Sequence, residues 1–149
     1  MFVIDTNVLV YAANPACSEH GACHSLLDRA REGGSLPWYL TWGIVYEFLR
    51  VTTHPRVFGK PWAIQEAWRF VAGMLASPNI SVLTETDRHS ELAAQTLNEA
   101  PPVKGNLLHD AHTAILMREH GIRRIYTRDA DFHRFPFLEV IDPLSPKQR

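Results

Sequence analysis

The 149-residue sequence predicts one α/β domain with a short, mainly parallel sheet. Short apolar runs alternate with helical periodicities along the chain, and strands separated by helices pair in parallel. At 149 residues, 46% of them hydrophobic, the chain is long enough to bury about 68–70% of the surface it exposes when unfolded, which supports a core without disulfide or metal staples. No internal repeat, linker or low-complexity run divides it, so residues 1–149 read as a single domain.

In chain order, Phe2 to Ile4 is a first buried strand that stops at Asp5, after which Val8-Leu9-Val10 turns apolar again. Glu19 to Glu32 places Ala22, Leu26, Leu27 and Ala30 on one helical face and ends at Gly33-Gly34, a helix stop. Leu36 to Leu40 is the second strand. Thr41 is positioned to cap a helix whose Ile44, Val45, Phe48, Leu49 and Thr52 form an apolar stripe, closed by His54-Pro55. Pro61 suits the first turn of a helix carrying Ala63, Ala67, Phe70, Val71 and Met74. Ile80 to Leu83 is a strand, and Asp87 is placed to cap a helix through about Ala100, ended by Pro101-Pro102. Asn106 to His120 is a helix finished by Gly121, followed by strands at Arg124 to Tyr126 and Leu138 to Ile141.

Composition excludes disorder, collagen and coiled coil. No apolar stretch is long enough to span a membrane, and Met1-Phe2-Val3-Ile4, interrupted by Asp5, is not a signal-peptide core. Cys17 and Cys23 make no disulfide framework, which points to a reducing cytoplasm. A formal net charge of −1 argues at first against a nucleic-acid partner. Placement matters more than the total, however, because the 32 residues from Arg118 onward carry a net +2.

Four carboxylates stand out. Asp5 and Asp129 each follow a strand, and residues just past the carboxyl ends of parallel strands line the ligand crevice. Glu47 and Asp110 lie in apolar helical surroundings that flank those strand ends. Each has a purely structural alternative: a helix N-cap for Asp5, turn chemistry for Asp129 and Asp131, a solvated face for Glu47, and service to a helix dipole for Asp110. Together they can converge. Two like charges about 4 Å apart repel by about 4 kcal/mol at an effective dielectric near 20, and a hard divalent cation with oxygen ligands removes that cost. Mg²⁺ or Mn²⁺ so held activates water and stabilises phosphoryl charge.

At Ile4-Asp5-Thr6-Asn7, Glu47, Asp110-Ala111 and Thr127-Arg128-Asp129-Ala130-Asp131-Phe132 the sequence resembles the PIN-domain ribonucleases, and among them the VapC-type toxins of toxin–antitoxin pairs. The resemblance covers essentially the whole chain. It implies a three-layer α/β/α sandwich, a Mg²⁺/Mn²⁺-dependent acidic site and hydrolysis of RNA phosphodiesters. It further implies a homodimer and inhibition by a cognate antitoxin. Carried over by position, Asp5, Asp110 and Asp129 are metal ligands, and Glu47 holds metal-bound water or acts as base. Asn7 and Thr127 orient carboxylates and water, with Asp131 either joining them or capping the following turn. Arg128, beside Asp129, is placed to meet substrate phosphate.

Other constellations are weaker. His20 and His24 are helix neighbours without a third ligand, while His109 and His112 share a face with each other rather than directly with Asp110 and are placed beside the cleft to contact RNA. Trp38, Trp42, Trp62 and Trp68 read as core by default, with Trp62 and Trp68 displaced from the apolar face of their helix and suited to a partner groove. Two readings stand against the toxin: a solitary PIN nuclease acting on other RNA or on DNA, and a non-catalytic nucleotide-binding module. The second lacks a Gly-x-Gly-x-x-Gly turn, since Asp-Thr-Asn follows the first strand.

Overall fold

The computed structural model describes residues 1–33 and 36–145. Five short strands, β1 (Phe2–Ile4), β2 (Trp38–Thr41), β3 (Ile80–Leu83), β4 (Arg124–Tyr126) and β5 (Glu139–Ile141), form one sheet in the order β3-β2-β1-β4-β5, with every pair parallel. The helices are α1 (Thr6–Ala13), α2 (His20–Arg31), α3 (Trp42–Thr53), α4 (Ile64–Leu75), α5 (His89–Glu99) and α6 (Leu107–Glu119), and a 3₁₀ turn covers Ala130–Arg134.

The topology places the site. From β1 the chain moves to β2 and then β3 in one direction, and from β3 it returns across the sheet to β4 on the other side of β1. Right-handed crossovers therefore send the first group of helices to one face and α5–α6 to the other, which makes the three layers. The strand order reverses between β1 and β4, where Val3 pairs with Ile125 and Ile4 with Tyr126. A crevice opens at such a switch point, beyond the carboxyl ends of the strands, and Asp5 and Thr127 are the residues found there.

The central strands are sealed on both faces. Val3, Ile4, Trp38, Leu40 and Ile125 have no exposed surface, as expected of strands covered by helices. Phe48 of α3 stacks on Phe70 of α4 with ring centroids 5.1 Å apart and meets the edge of Trp62 at 6.2 Å. Trp62 is thus partly core rather than displaced outward, whereas Trp68 and Trp42 are exposed. After α6, Gly121 adopts φ +67°, the left-handed conformation that lets a helix end abruptly. Among the described residues no helix is long and apolar enough to cross a membrane.

Several boundaries differ from the sequence expectations. The apolar Val8-Leu9-Val10 stretch is helical, part of an eight-residue α1 that periodicity over so short a span does not resolve. Pro61 lies before α4, not in its first turn: Trp62 donates its backbone N–H to the Thr52 carbonyl, Ala63 stays extended, and the helix begins at Ile64. Asp87 caps nothing. The turn before α5 is organised by Thr86, whose hydroxyl accepts from Arg88 N and whose carbonyl accepts from His89 N. Thr41 does cap α3, accepting from Ile44 N at 3.1 Å. Gly34 of the expected stop after α2, and Lys147 and Arg149 of the basic carboxyl-terminal segment, lie outside the described residues.

Candidate active site

Asp5 is the fixed point of the site. It is 7% exposed, follows the fully buried Ile4, and N-caps α1 through Oδ1, which accepts from Thr6 N at 2.8 Å. Its other oxygen, Oδ2, accepts from Thr127 Oγ1 at 2.6 Å and from Asn7 Nδ2 at 2.8 Å. Thr127 Oγ1 in turn accepts from Asn7 Nδ2 and from Asp129 N, so a hydroxyl with one donor and two acceptor positions uses all three. The ends of β1 and β4 are laced together by this network, and Asp129 is positioned by its own N–H. Asp129 Oδ1 accepts from Asp131 N and thereby caps the 3₁₀ turn. Phe132 and Phe135, both buried, anchor that turn in the core.

The helices supply the other acids. Thr6 Oγ1 donates to Glu47 Oε2 at 3.0 Å, tying α3 to α1, and Arg50, three residues on, lies 3.7 Å from Glu47 Oε1. Asp110 stands in the first turn of α6, and among the described residues no donor reaches its carboxylate. Asp110, Asp129 and Asp131 each bring a carboxylate oxygen within 4.8 Å of the others. All five acids, Asp5, Glu47, Asp110, Asp129 and Asp131, line one open cavity of about 630 Å³, whose walls also include Arg50, His109 and His112.

Crowding shows in the protonation equilibria. Burial, above all, pushes the Asp110 carboxyl up to about 7, and the negative charges of Asp129, Asp5, Glu47 and Asp131 add to it. Burial likewise raises Asp5 to about 6, against the hydrogen bonds from Thr127 and Thr6 N that hold it down. Carboxylates in this condition need a proton or a cation. An all-oxygen donor set of three or more clustered acids, open on one side to water, fits a hard divalent ion.

The sequence profile of the PIN domain family matches residues 2–138. The chain belongs to the PIN domain family. It is 33% identical over 141 residues to "Ribonuclease VapC48" of Mycobacterium tuberculosis, an alignment covering 95% of this chain and 96% of the relative. Its fold superposes on the crystal structure of M. tuberculosis VapC20, described as a sarcin–ricin loop cleaving toxin, with a TM-score of 0.64 at 20% identity over 89% of this chain and 93% of that one. A second solved fold, VapBC2 from Rickettsia felis bound to a DNA fragment from its promoter, gives 0.65 at 14% identity, covering 94% and 96%.

Within this PIN domain the structure brings together every acid singled out in the sequence, and Asn7 and Thr127 both donate to Asp5. Asp131 is not the cap of its turn: Asp129 is, while the Asp131 side chain reaches both the acidic cluster and Arg134 at 3.1 Å. Arg128 departs from expectation. Its guanidinium is held by Glu19 at 2.9 Å and Asp142 at 3.4 Å, and it does not line the acidic cavity. Among the described residues, Arg50 is the Lys or Arg that does. The signal for it was its position three residues after Glu47, on the same helical face. Thr6 has no role legible in its sequence neighbours, because only the folded α1–α3 contact shows what its hydroxyl holds.

Proposed function

We propose that this PIN domain is a metal-dependent endoribonuclease and the toxin of a toxin–antitoxin pair, working in the cytoplasm. The observation that carries the reading is the convergence of five carboxylates at the β1/β4 switch point, two of them with strongly raised protonation equilibria. Asp5, Asp110 and Asp129 would hold Mg²⁺ or Mn²⁺, with Asp131 at the edge of the set. When bound, such an ion lowers the pKa of water and neutralises phosphate charge.

The residues of the chain then divide the work. Asn7 and Thr127 fix the direction of the Asp5 carboxylate, so the ligand geometry exists before substrate arrives. Glu47, held by Thr6, is positioned to orient the attacking water and accept its proton as the new P–O bond forms and the ester P–O bond breaks, the leaving ribose oxygen taking a proton from solvent in the open cavity. Arg50, on the wall beside Glu47, meets the non-bridging phosphate oxygens. His109 and His112 extend the same wall toward the rest of the RNA. Support for the ribonuclease assignment comes from the near full-length relative named as such. Support for a cognate antitoxin comes from the VapBC2 assembly among the similar folds. We extend the reading to a homodimer as the form that the antitoxin meets.

Turnover of single-stranded RNA, structured RNA and DNA, each with Mg²⁺ and with Mn²⁺, tests this. RNA cleavage that is lost on chelation and absent in Asp110→Asn supports it. Preferential cleavage of DNA would reassign the domain to a DNA-directed nuclease.

A further inference from the structure

A second group of ligating side chains lies beside the acidic cavity, and of its members only His112 also lines that cavity. Glu85, between β3 and α5, His89, the first residue of α5, and His112 of α6 each offer a ligand atom, all within 4.8 Å of one another. His112 Nε2 is 3.1 Å from Glu85 Oε1, and the His89 and His112 rings meet edge to face with centroids 5.8 Å apart. Behind them is Glu119, whose side chain has no exposed surface. Its Oε2 is 2.7 Å from His89 Nδ1, and its Oε1 accepts from Thr86 N and Thr86 Oγ1.

We propose that Glu85, His89 and His112 form a binding site for a borderline transition cation such as Zn²⁺, distinct from the hard-cation site of the carboxylates. Three features of the geometry carry this. Glu119 accepts a hydrogen bond from His89 Nδ1–H, which fixes the ring orientation and the tautomer whose Nε2 carries the lone pair, the arrangement in which a buried carboxylate backs a ligating histidine. The three donors are two imidazoles and one carboxylate, a set that tetrahedral Zn²⁺ takes with one position left for water, whereas Mg²⁺ prefers oxygen alone. The 3.1 Å between His112 Nε2 and Glu85 Oε1 is within a few tenths of the roughly 3.4 Å that a tetrahedral ion with ligand bonds near 2.0–2.1 Å imposes on a ligand pair, and the His89 ligand atom lies within 4.8 Å of both.

The consequence is mechanical. Such an ion would join the β3–α5 connection to α6, the helix that also presents Asp110, and it would share His112 with the wall of the acidic cavity. Occupancy of one site would then stiffen the support of the other, without a ligand in common.

The test is calorimetric titration of the intact protein with Zn²⁺ while Mg²⁺ saturates the carboxylate site, repeated with Co²⁺ as a spectroscopic probe. One equivalent should bind, and Co²⁺ should give the visible absorption of a four- or five-coordinate N/O site. His89→Gln and Glu85→Gln should each weaken binding at least about tenfold, and Glu119→Gln, which touches no metal, should weaken it by about 10–100-fold. Asp110→Asn should still bind one equivalent, because it removes no ligand of this site. Circular dichroism of each variant checks that the fold is kept. Binding that survives in His89→Gln but disappears in Asp110→Asn would overturn the proposal, as would no binding above the Mg²⁺ background.

Discussion

Asp110→Asn should make the metal-free protein more stable above neutral pH while abolishing cleavage. The substitution keeps the shape of a side chain that no donor reaches among the described residues, and it removes one charge from the most crowded part of the site. Burial and then the charges of Asp129, Asp5, Glu47 and Asp131 lift the Asp110 carboxyl from 3.8 to about 7. At about 1.4 kcal/mol per pH unit, that rise makes the ionised form cost the folded state up to roughly 4 kcal/mol, and less to the extent that water in the open cavity screens the charge. The folded protein holds a proton there that the unfolded chain has released. Stability therefore falls as pH climbs from about 4 to about 7, and the penalty is fully present above. Asparagine carries no such penalty, although its amide must still be desolvated, so the expected gain above neutrality is about 2–4 kcal/mol. For a chain of this length each kcal/mol moves the melting temperature by about 2–4 °C. Urea denaturation of both proteins in EDTA, across a pH series from about 4 to about 8, measures the difference directly. A variant equally or less stable above neutrality would refute the reasoning, and so would a gain that does not shrink toward the acid end.

Other expectations follow from the same geometry. Because Asp5 and Asp110 titrate at about 6 and about 7, cation binding must displace protons below neutrality. Apparent Mn²⁺ affinity should decline as pH drops through that range and level off above it. Thr127→Val removes a donor that holds the Asp5 carboxyl down, so it should move that decline to higher pH and cost about 1.5–3 kcal/mol for the lost charge-assisted bond, read by metal titration and by denaturation. Phe132→Ala should destabilise the protein by about 3–5 kcal/mol, since the fully buried ring anchors the turn between Asp129 and Arg134; a smaller loss in urea denaturation would mean that the turn repacks. Arg50→Ala should raise KM for an oligoribonucleotide, whereas Arg128→Ala, whose guanidinium is occupied by Glu19 and Asp142, should change KM little. The opposite ranking in steady-state kinetics would return Arg128 to the substrate.

The legible parts of the sequence were those with local causes. Strands such as Phe2–Ile4 and Ile80–Leu83 are short apolar runs with clear punctuation, and Thr41 announces α3 by capping it. The acids were legible because carboxylates at strand ends or in apolar helices cost free energy that a bland role does not repay. Asp5 shows the limit of choosing between readings: it is both a helix cap and a cavity wall, since its two oxygens serve different partners. What escaped was set by distant contacts. Arg128 adjoins Asp129 in sequence, but Glu19 and Asp142, brought in by α2 and the end of β5, claim its guanidinium. Thr6 acquires meaning only when α1 and α3 come together, and Arg50 only when α3 and α6 wall the same cavity. Likewise Glu85, His89, His112 and Glu119 are spread over 35 residues, and only the packing of α5 against α6 assembles them.

Central to the account is that the clustered carboxylates at the β1/β4 switch point are a cation site that cleaves RNA. Cleavage of a labelled RNA by protein stripped with EDTA and then titrated with Mn²⁺, wild type beside Asp110→Asn, tests it most directly. The account predicts no cleavage in EDTA, recovery that saturates with added Mn²⁺ in the wild type, and none at any concentration in the variant. Full cleavage by the stripped wild type, or equal recovery in Asp110→Asn, would contradict it.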